Sequence, residues 1–224
     1  MNFLSHFYFD RYCPHPERVL GTVLPDLIKN ANKSWIIHPN KHAEQLQADT
    51  ALSLILRGWN RHLEVDKHFH NSTYFFSQTQ LIKQAVLPVI GESPVRPSFL
   101  AHITLELLLD HLLITKEIVD AGDFYNYLKQ VEKTAIDQFL AINGIDQIPH
   151  FFRFYDEFIR SAYLHRYSEI ENITYSLNQI CARLWKNPFT DTQKAQLSDV
   201  ISNYVNNFDF DFMIIFEEID TRLN

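Results

Sequence analysis

His102, Glu106 and Asp110 recur at every fourth position of AHITLELLLDHL, and His62, Asp66 and His70 do the same in NRHLEVDKHFH. On an α-helix, positions i, i+4 and i+8 lie along one face, so each segment projects three potential metal ligands from a single stripe. Imidazole and carboxylate together suit a divalent cation. Such a cation polarises a phosphoryl oxygen and acidifies a bound water, supplying a nucleophile without a serine or cysteine. The spacing predicts a metal site between the helices near 62–70 and 102–111. Asp66 and Asp110 are the expected carboxylate ligands, His62 and His102 complete a mixed nitrogen and oxygen shell, and Glu106 is a further ligand or a base.

The later segment is apolar on every side, through Leu100, Ile103, Leu105, Leu107, Leu108, Leu109, Leu112 and Leu113. Such a helix is usually buried, and buried carboxylates are rare unless paired or bound to a cation. Glu106 and Asp110 therefore need partners. The alternative to a metal is a structural network in which they meet Arg, Lys or helix N-termini and the histidines are ordinary core or surface groups. Two helices with the same His/carboxylate spacing favour the metal, because facing helices build such sites in bundles.

The elements that must position these residues are helical. A chain of 224 residues, 46% of them hydrophobic, can bury a sizeable core and reads as one domain over 1–224. Only 5 glycines and 9 prolines punctuate it, too few for the turns of an all-β fold or the loops of a nucleotide-binding α/β fold. Period-two alternation is scarce. The pattern predicts an all-α domain of roughly seven to nine helices. One runs over Lys41–Phe69, with Gly58 its weak point, and a second over Tyr74–Leu87 after a possible cap at Ser72 or Thr73. A loop spans LPVIGESPVRP. A buried helix then starts near Ser98 and ends at Gly122. Amphipathic spacing predicts a helix over Phe124–Ile142 stopped by Asn143-Gly144, an aromatic helix opened by Pro149, a helix over Ser168–Trp185, and another from Thr190 to about Phe208 with an acidic, aromatic tail.

Composition excludes several classes. The net charge of −7 disfavours a broad nucleic-acid surface. No phosphate-loop or dinucleotide fingerprint is present. Cys13 and Cys181 form neither a CxxC nor a disulfide framework, which fits a reduced, cytoplasmic setting. MNFLSHFYFDRYC lacks a basic start and does not read as a signal peptide. Nowhere do 18 apolar residues run together, so no membrane span is expected.

Five ordered segments carry a family resemblance: MNFLSHFYF, VLGTVLPDLIKN, GWNRHLEVDKHFH, ITLELLLDHLL and YLHRYSEIENITYSLNQICARL. In order and approximate spacing, over about residues 1–190, they resemble bacterial acyl carrier protein phosphodiesterases, which are a distorted form of HD-domain metal-dependent phosphohydrolases. The resemblance implies an HD-domain-like fold, a place in fatty acid biosynthesis, acyl carrier protein as partner, and a divalent cation, Mn2+ foremost. The implied reaction cleaves the phosphodiester that joins 4′-phosphopantetheine to a carrier-protein serine.

Carried over by motif, His6 matches the family's histidine in its MNFL start and Asp26 the aspartate of its second segment. His62 and Asp66 match the family's HRxID-like pair, Glu106 stands where an aspartate is usual, and Asp110 and His111 match its Asp-His pair. His6 and Asp26 then ligate or orient ligands. Glu106 takes the water's proton, and His111 donates to the leaving group. Leu63 replaces an arginine, His70 an aspartate and Thr22 an asparagine, all beside the expected site. An acidic carrier protein docks best on a basic surface, which this acidic chain does not advertise. The aromatic stretch Phe151–Tyr167, with Phe152, Tyr155 and Tyr163 among Arg153, Arg160 and Arg166, reads as core before it reads as a phosphate groove. A non-catalytic helical interaction protein that keeps the fold is the alternative. A di-metal oxidative site is weaker, since paired Glu-x-x-His motifs are absent.

Overall fold

A computed structural model describes residues 1–207 and 211–223, and every regular element among them is helical. In chain order the α-helices are α1 (Phe3–Tyr8), α2 (Pro16–Ala31), α3 (Ala43–Gln47), α4 (Thr50–His70), α5 (Thr73–Ile90), α6 (Pro97–Thr115), α7 (Ala121–Gln130), α8 (Lys133–Ile142), α9 (Ile148–Ser161), α10 (Ile170–Ala182), α11 (Asp191–Asn207) and α12 (Met213–Leu223). Short 3-10 turns cover Pro39–His42 and Tyr163–Ser168. The all-α expectation holds, but seven to nine helices was too few.

The surplus comes from breaks that hydrophobic periodicity does not register. The helix expected over Lys41–Phe69 is interrupted at Ala48–Asp49, where the Asp49 carboxylate accepts a hydrogen bond from the Leu52 N–H (2.9 Å) and opens α4. Phe124–Ile142 divides into α7 and α8 because Val131 and Glu132 are both extended, with ψ of 127° and 126°. Gly122 does not end α6. It lies in the first turn of α7, its N–H bonded to the capping Asp120 side chain (2.6 Å), while α6 stops at Thr115, just before Glu117 turns left-handed at φ 55°. The loop begins later than the prolines suggest, since α5 absorbs Pro88 in its last turn and runs to Ile90. Asn143-Gly144 does stop α8, with Gly144 at φ 78°. Part of the C-terminal tail is helical too: Asp211 accepts from the Met213 N–H (3.0 Å) and α12 buries Ile215, Phe216 and Ile219. The expected helix end at Phe208 lies outside the described residues.

Contacts gather the chain into two compact units. The first comprises Met1–Asn2, Lys67–Ile118 and Arg166–Asn224; the second comprises Phe3–Asp66 and Val119–His165. In the first unit α6 packs against α5 and α10, and α11 packs against α5 and α10. By length and composition α6 is apolar enough to cross a membrane, yet most of it is buried among these helices and it carries Glu106, Asp110 and two histidines, which reads as a core helix. In the second unit α2 lies against α1, α7 and α9, and Phe151, Tyr155 and Phe158 on one face of α9 fill the core. The Tyr155 hydroxyl donates to the Leu128 carbonyl (2.9 Å), so of the aromatic residues named from the sequence Tyr155 is core, as expected, while Phe152 and Tyr163 are half-buried.

Candidate metal centre

In the second unit α2 and α4 cross at two glycines. A Cβ on Gly58 would lie 2.1 Å from the Arg18 carbonyl oxygen and 2.7 Å from the Gly21 Cα, and one on Gly21 would lie 2.3 Å from the Ile55 carbonyl oxygen. No side chain fits there, so the backbones touch. One turn along α4, that approach brings the His62 ring to α2, where Nδ1 donates to the Thr22 carbonyl oxygen at 2.8 Å. A carbonyl can only accept, so the proton sits on Nδ1 and the Nε2 lone pair is left for another partner. A second contact of this kind is what orients a histidine that binds a metal.

His6 on α1 stacks on His62, ring centroids 3.9 Å apart at 18°. His6 is 1% exposed, and neither ring nitrogen has a hydrogen-bond partner. Its Nε2 lies 3.3 Å from Asp66 Oδ1 without hydrogen-bond alignment, and His62 Nε2 lies 3.6 Å from Asp66 Oδ2. Burial, then the neighbouring His62, pushes the His6 pKa down to about 3 against the opposing pull of Asp66. Burial pushes the Asp66 carboxyl up, but its polar surroundings together, His6 first and His62 among them, outweigh burial and hold Asp66 well below the usual carboxylate range. At neutral pH the His6 imidazole is therefore neutral and Asp66 is ionised, the protonation states in which each can bind a cation.

The first unit holds a second group: His70 at the end of α4 with His102 and Glu106 on α6. His102 Nε2 lies 3.0 Å from Glu106 Oε1 and 3.1 Å from His70 Nε2, and His70 Nε2 lies 3.5 Å from the same carboxylate oxygen. Ligands around a tetrahedral or octahedral cation with bonds near 2.1 Å stand about 3.0–3.4 Å apart, so this triangle is close to the required size. The α-amino group of Met1 also lies 3.0 Å from Glu106 Oε1. Burial pushes the Glu106 carboxyl up, but that amino group and the His102 and His70 imidazoles hold it well below its ordinary value.

Among the residues singled out in the sequence, by spacing or by the resemblance, two groups form. His6, His62 and Asp66 come together in one unit; His102 and Glu106 come together in the other, joined by His70. Asp26, half-buried on α2, belongs to neither group, nor does Asp110. Asp110 is fully buried and accepts from Asn2 Nδ2 (2.9 Å). His111 is buried, its Nδ1 donates to the Tyr167 carbonyl (2.7 Å), and burial lowers its pKa. His70 was visible as the third member of its triplet, but its pairing with His102 depends on how the end of α4 meets α6. The Thr22 carbonyl leaves no signal in side-chain identity at all.

Both groups fit a divalent cation, the first by its bare buried nitrogens and the second by its donor spacing. No family model, curated protein or solved structure matches this chain.

Proposed function

We propose that this protein is a divalent-metal-dependent phosphoester hydrolase on a distorted HD-domain-like helical fold, with manganese the expected cation. One observation carries the reading: His6 is buried with two ring nitrogens lacking any hydrogen-bond partner, against His62 and Asp66. A buried polar atom left unsatisfied costs about 1–3 kcal/mol. His62 and His111 each have one ring nitrogen tied to a carbonyl, whereas His6 has neither tied, and a cation would satisfy one of its nitrogens. That contrast favours a cation site over the non-catalytic alternative.

His6, His62 and Asp66 are the residues that hold the cation, and His70, His102 and Glu106 offer a second position. A bound divalent ion polarises a phosphoryl oxygen and acidifies water. At that second position Glu106 is kept ionised, and its carboxylate would serve there as a ligand or as a base for water. His111, with its proton on Nδ1, presents a basic Nε2 and suits a proton acceptor better than the acid its sequence position suggests. The resemblance narrows the substrate to the phosphodiester between 4′-phosphopantetheine and an acyl carrier protein.

The test is calorimetric titration of chelator-stripped protein with Mn2+, comparing wild type with Asp66→Asn, followed by hydrolysis of a chromogenic phosphodiester and of holo-acyl carrier protein. Stoichiometric binding that loses one equivalent in Asp66→Asn, with metal-dependent cleavage, supports the reading. No binding by the wild type sinks it and leaves a helical interaction protein.

A further inference from the structure

The unit containing Lys67–Ile118 and Arg166–Asn224 carries a groove of about 600 Å³ that His102 lines, so it opens beside the His70, His102 and Glu106 group. That volume lies within the range of small-molecule sites. Its walls are aromatic: Phe75 and Phe76 from α5, Phe99 from α6, and Trp185 just past α10. The rings pack edge-on, Phe99 to Trp185 at 5.1 Å and 68° and Phe75 to Phe76 at 5.8 Å and 76°. Phe75 already has the rings of Phe69, His70 and His102 against it, but Phe76 is 60% exposed and Phe99 and Trp185 are half-buried, so part of this aromatic surface is open. Aromatic surface left open over a groove gives a flat ring somewhere to lie.

Lys83 and Arg96 line the same groove. Neither has an ion-pair partner among the described residues, and no described carboxylate lines the groove, although the chain as a whole is acidic at −7. The remaining polar lining, including Gln80 and Ser98, is neutral and able to hydrogen-bond ring edges and hydroxyls. Two cations without a counter-charge suit a phosphate, and flat apolar faces beside them suit a planar ring on the same molecule. A bare phosphate leaves the rings uncovered, and a linear arm has no flat face to lay on them.

We propose that this groove binds a phosphate ester bearing a flat heteroaromatic ring, with the size and chemistry of a nucleoside monophosphate. Lys83 and Arg96 take the phosphate while the Phe75, Phe76, Phe99 and Trp185 walls take the ring. This is a binding site beside the metal group, separate from the phosphodiester that the hydrolase reading assigns for cleavage, and binding itself needs no metal.

The test is therefore calorimetry in chelator, which isolates the groove from the metal groups that the Mn2+ titration probes. Adenosine monophosphate, adenosine, inorganic phosphate and 4′-phosphopantetheine are titrated into wild type, Lys83→Gln/Arg96→Gln and Trp185→Leu. Arg96 is exposed and makes no side-chain cap on α6, and Lys83 is half-buried with no ion-pair partner among the described residues, so the double variant should fold; circular dichroism checks this. Expected are saturable binding of adenosine monophosphate, at least tenfold weaker binding of the other three ligands, and a rise in Kd of tenfold or more in each variant. No binding of adenosine monophosphate, equal or tighter binding of phosphopantetheine, or binding indifferent to Lys83→Gln/Arg96→Gln in a folded protein each overturns the proposal.

Discussion

Replacing Gly58 by alanine sets two physical effects against each other with opposite signs. In the interior of α4, intrinsic propensity favours alanine over glycine by about 1 kcal/mol. Against this, the new Cβ lands 2.1 Å from the Arg18 carbonyl oxygen, 2.7 Å from the Gly21 Cα and 2.8 Å from the Thr22 nitrogen, where ordinary contact begins at 3.4 Å. All three obstacles are α2 backbone, so no flexible side chain can swing aside and the helices must part by about 1 Å. Overpacking of this kind costs about 1–3 kcal/mol and occasionally more. With contacts this short the upper end applies, leaving a net destabilisation of about 2 kcal/mol after propensity is credited.

The same displacement reaches the metal group. His62 follows Gly58 by one turn, and its 2.8 Å bond to the Thr22 carbonyl does not survive a separation of about 1 Å. Loss of an orienting partner typically weakens metal affinity about 10- to 100-fold. Urea unfolding followed by circular dichroism, with Mn2+ titration of the folded variant, measures both. Gly91→Ala is the control, since a Cβ there meets only the Leu87 carbonyl at 3.9 Å and φ is −48°, so it should be neutral or slightly stabilising. A Gly58→Ala protein as stable as wild type refutes the crossing; one that is destabilised but binds Mn2+ unchanged refutes the link from crossing to site.

Two further outcomes follow from named contacts. With metal removed, stability should fall as pH drops from about 6.5 toward 3, because unfolded His6 gains a proton at its ordinary pKa while folded His6 resists until about 3. Its share of the slope is at most about 1.4 kcal/mol per pH unit; thermal melts of wild type and His6→Gln isolate it, since His111, also lowered by burial, contributes to both, and identical slopes would contradict the assignment. Ser72→Ala should cost about 1 kcal/mol in urea unfolding, since its hydroxyl caps α5 by accepting from the Phe75 N–H (3.0 Å) and also bonds the Phe69 carbonyl (2.7 Å); a cost near zero would mean that water replaces the cap.

Sequence alone determined the all-helical class and most element cores, because a 3.6-residue apolar period is written directly in residue identity, and it placed the ends that chemistry marks, such as Asn143-Gly144 and the Ser72 cap. It could not see the break at Val131–Glu132, where nothing but backbone torsion changes, nor that Gly122 begins a helix, since a glycine near a capping aspartate looks the same at either end. For the site, i, i+4 spacing identified His62 with Asp66 and His102 with Glu106, pairs that one helix face brings together by itself. Which third group joins each pair was decided by tertiary structure. His6 reaches its pair because α1 packs on α2, and α2 meets α4 at Gly21 and Gly58; His70 reaches His102 across the seam between α4 and α6. Spacing along a helix is local geometry, whereas convergence of donors from separate helices depends on how closely backbones approach, and here two missing side chains set that approach.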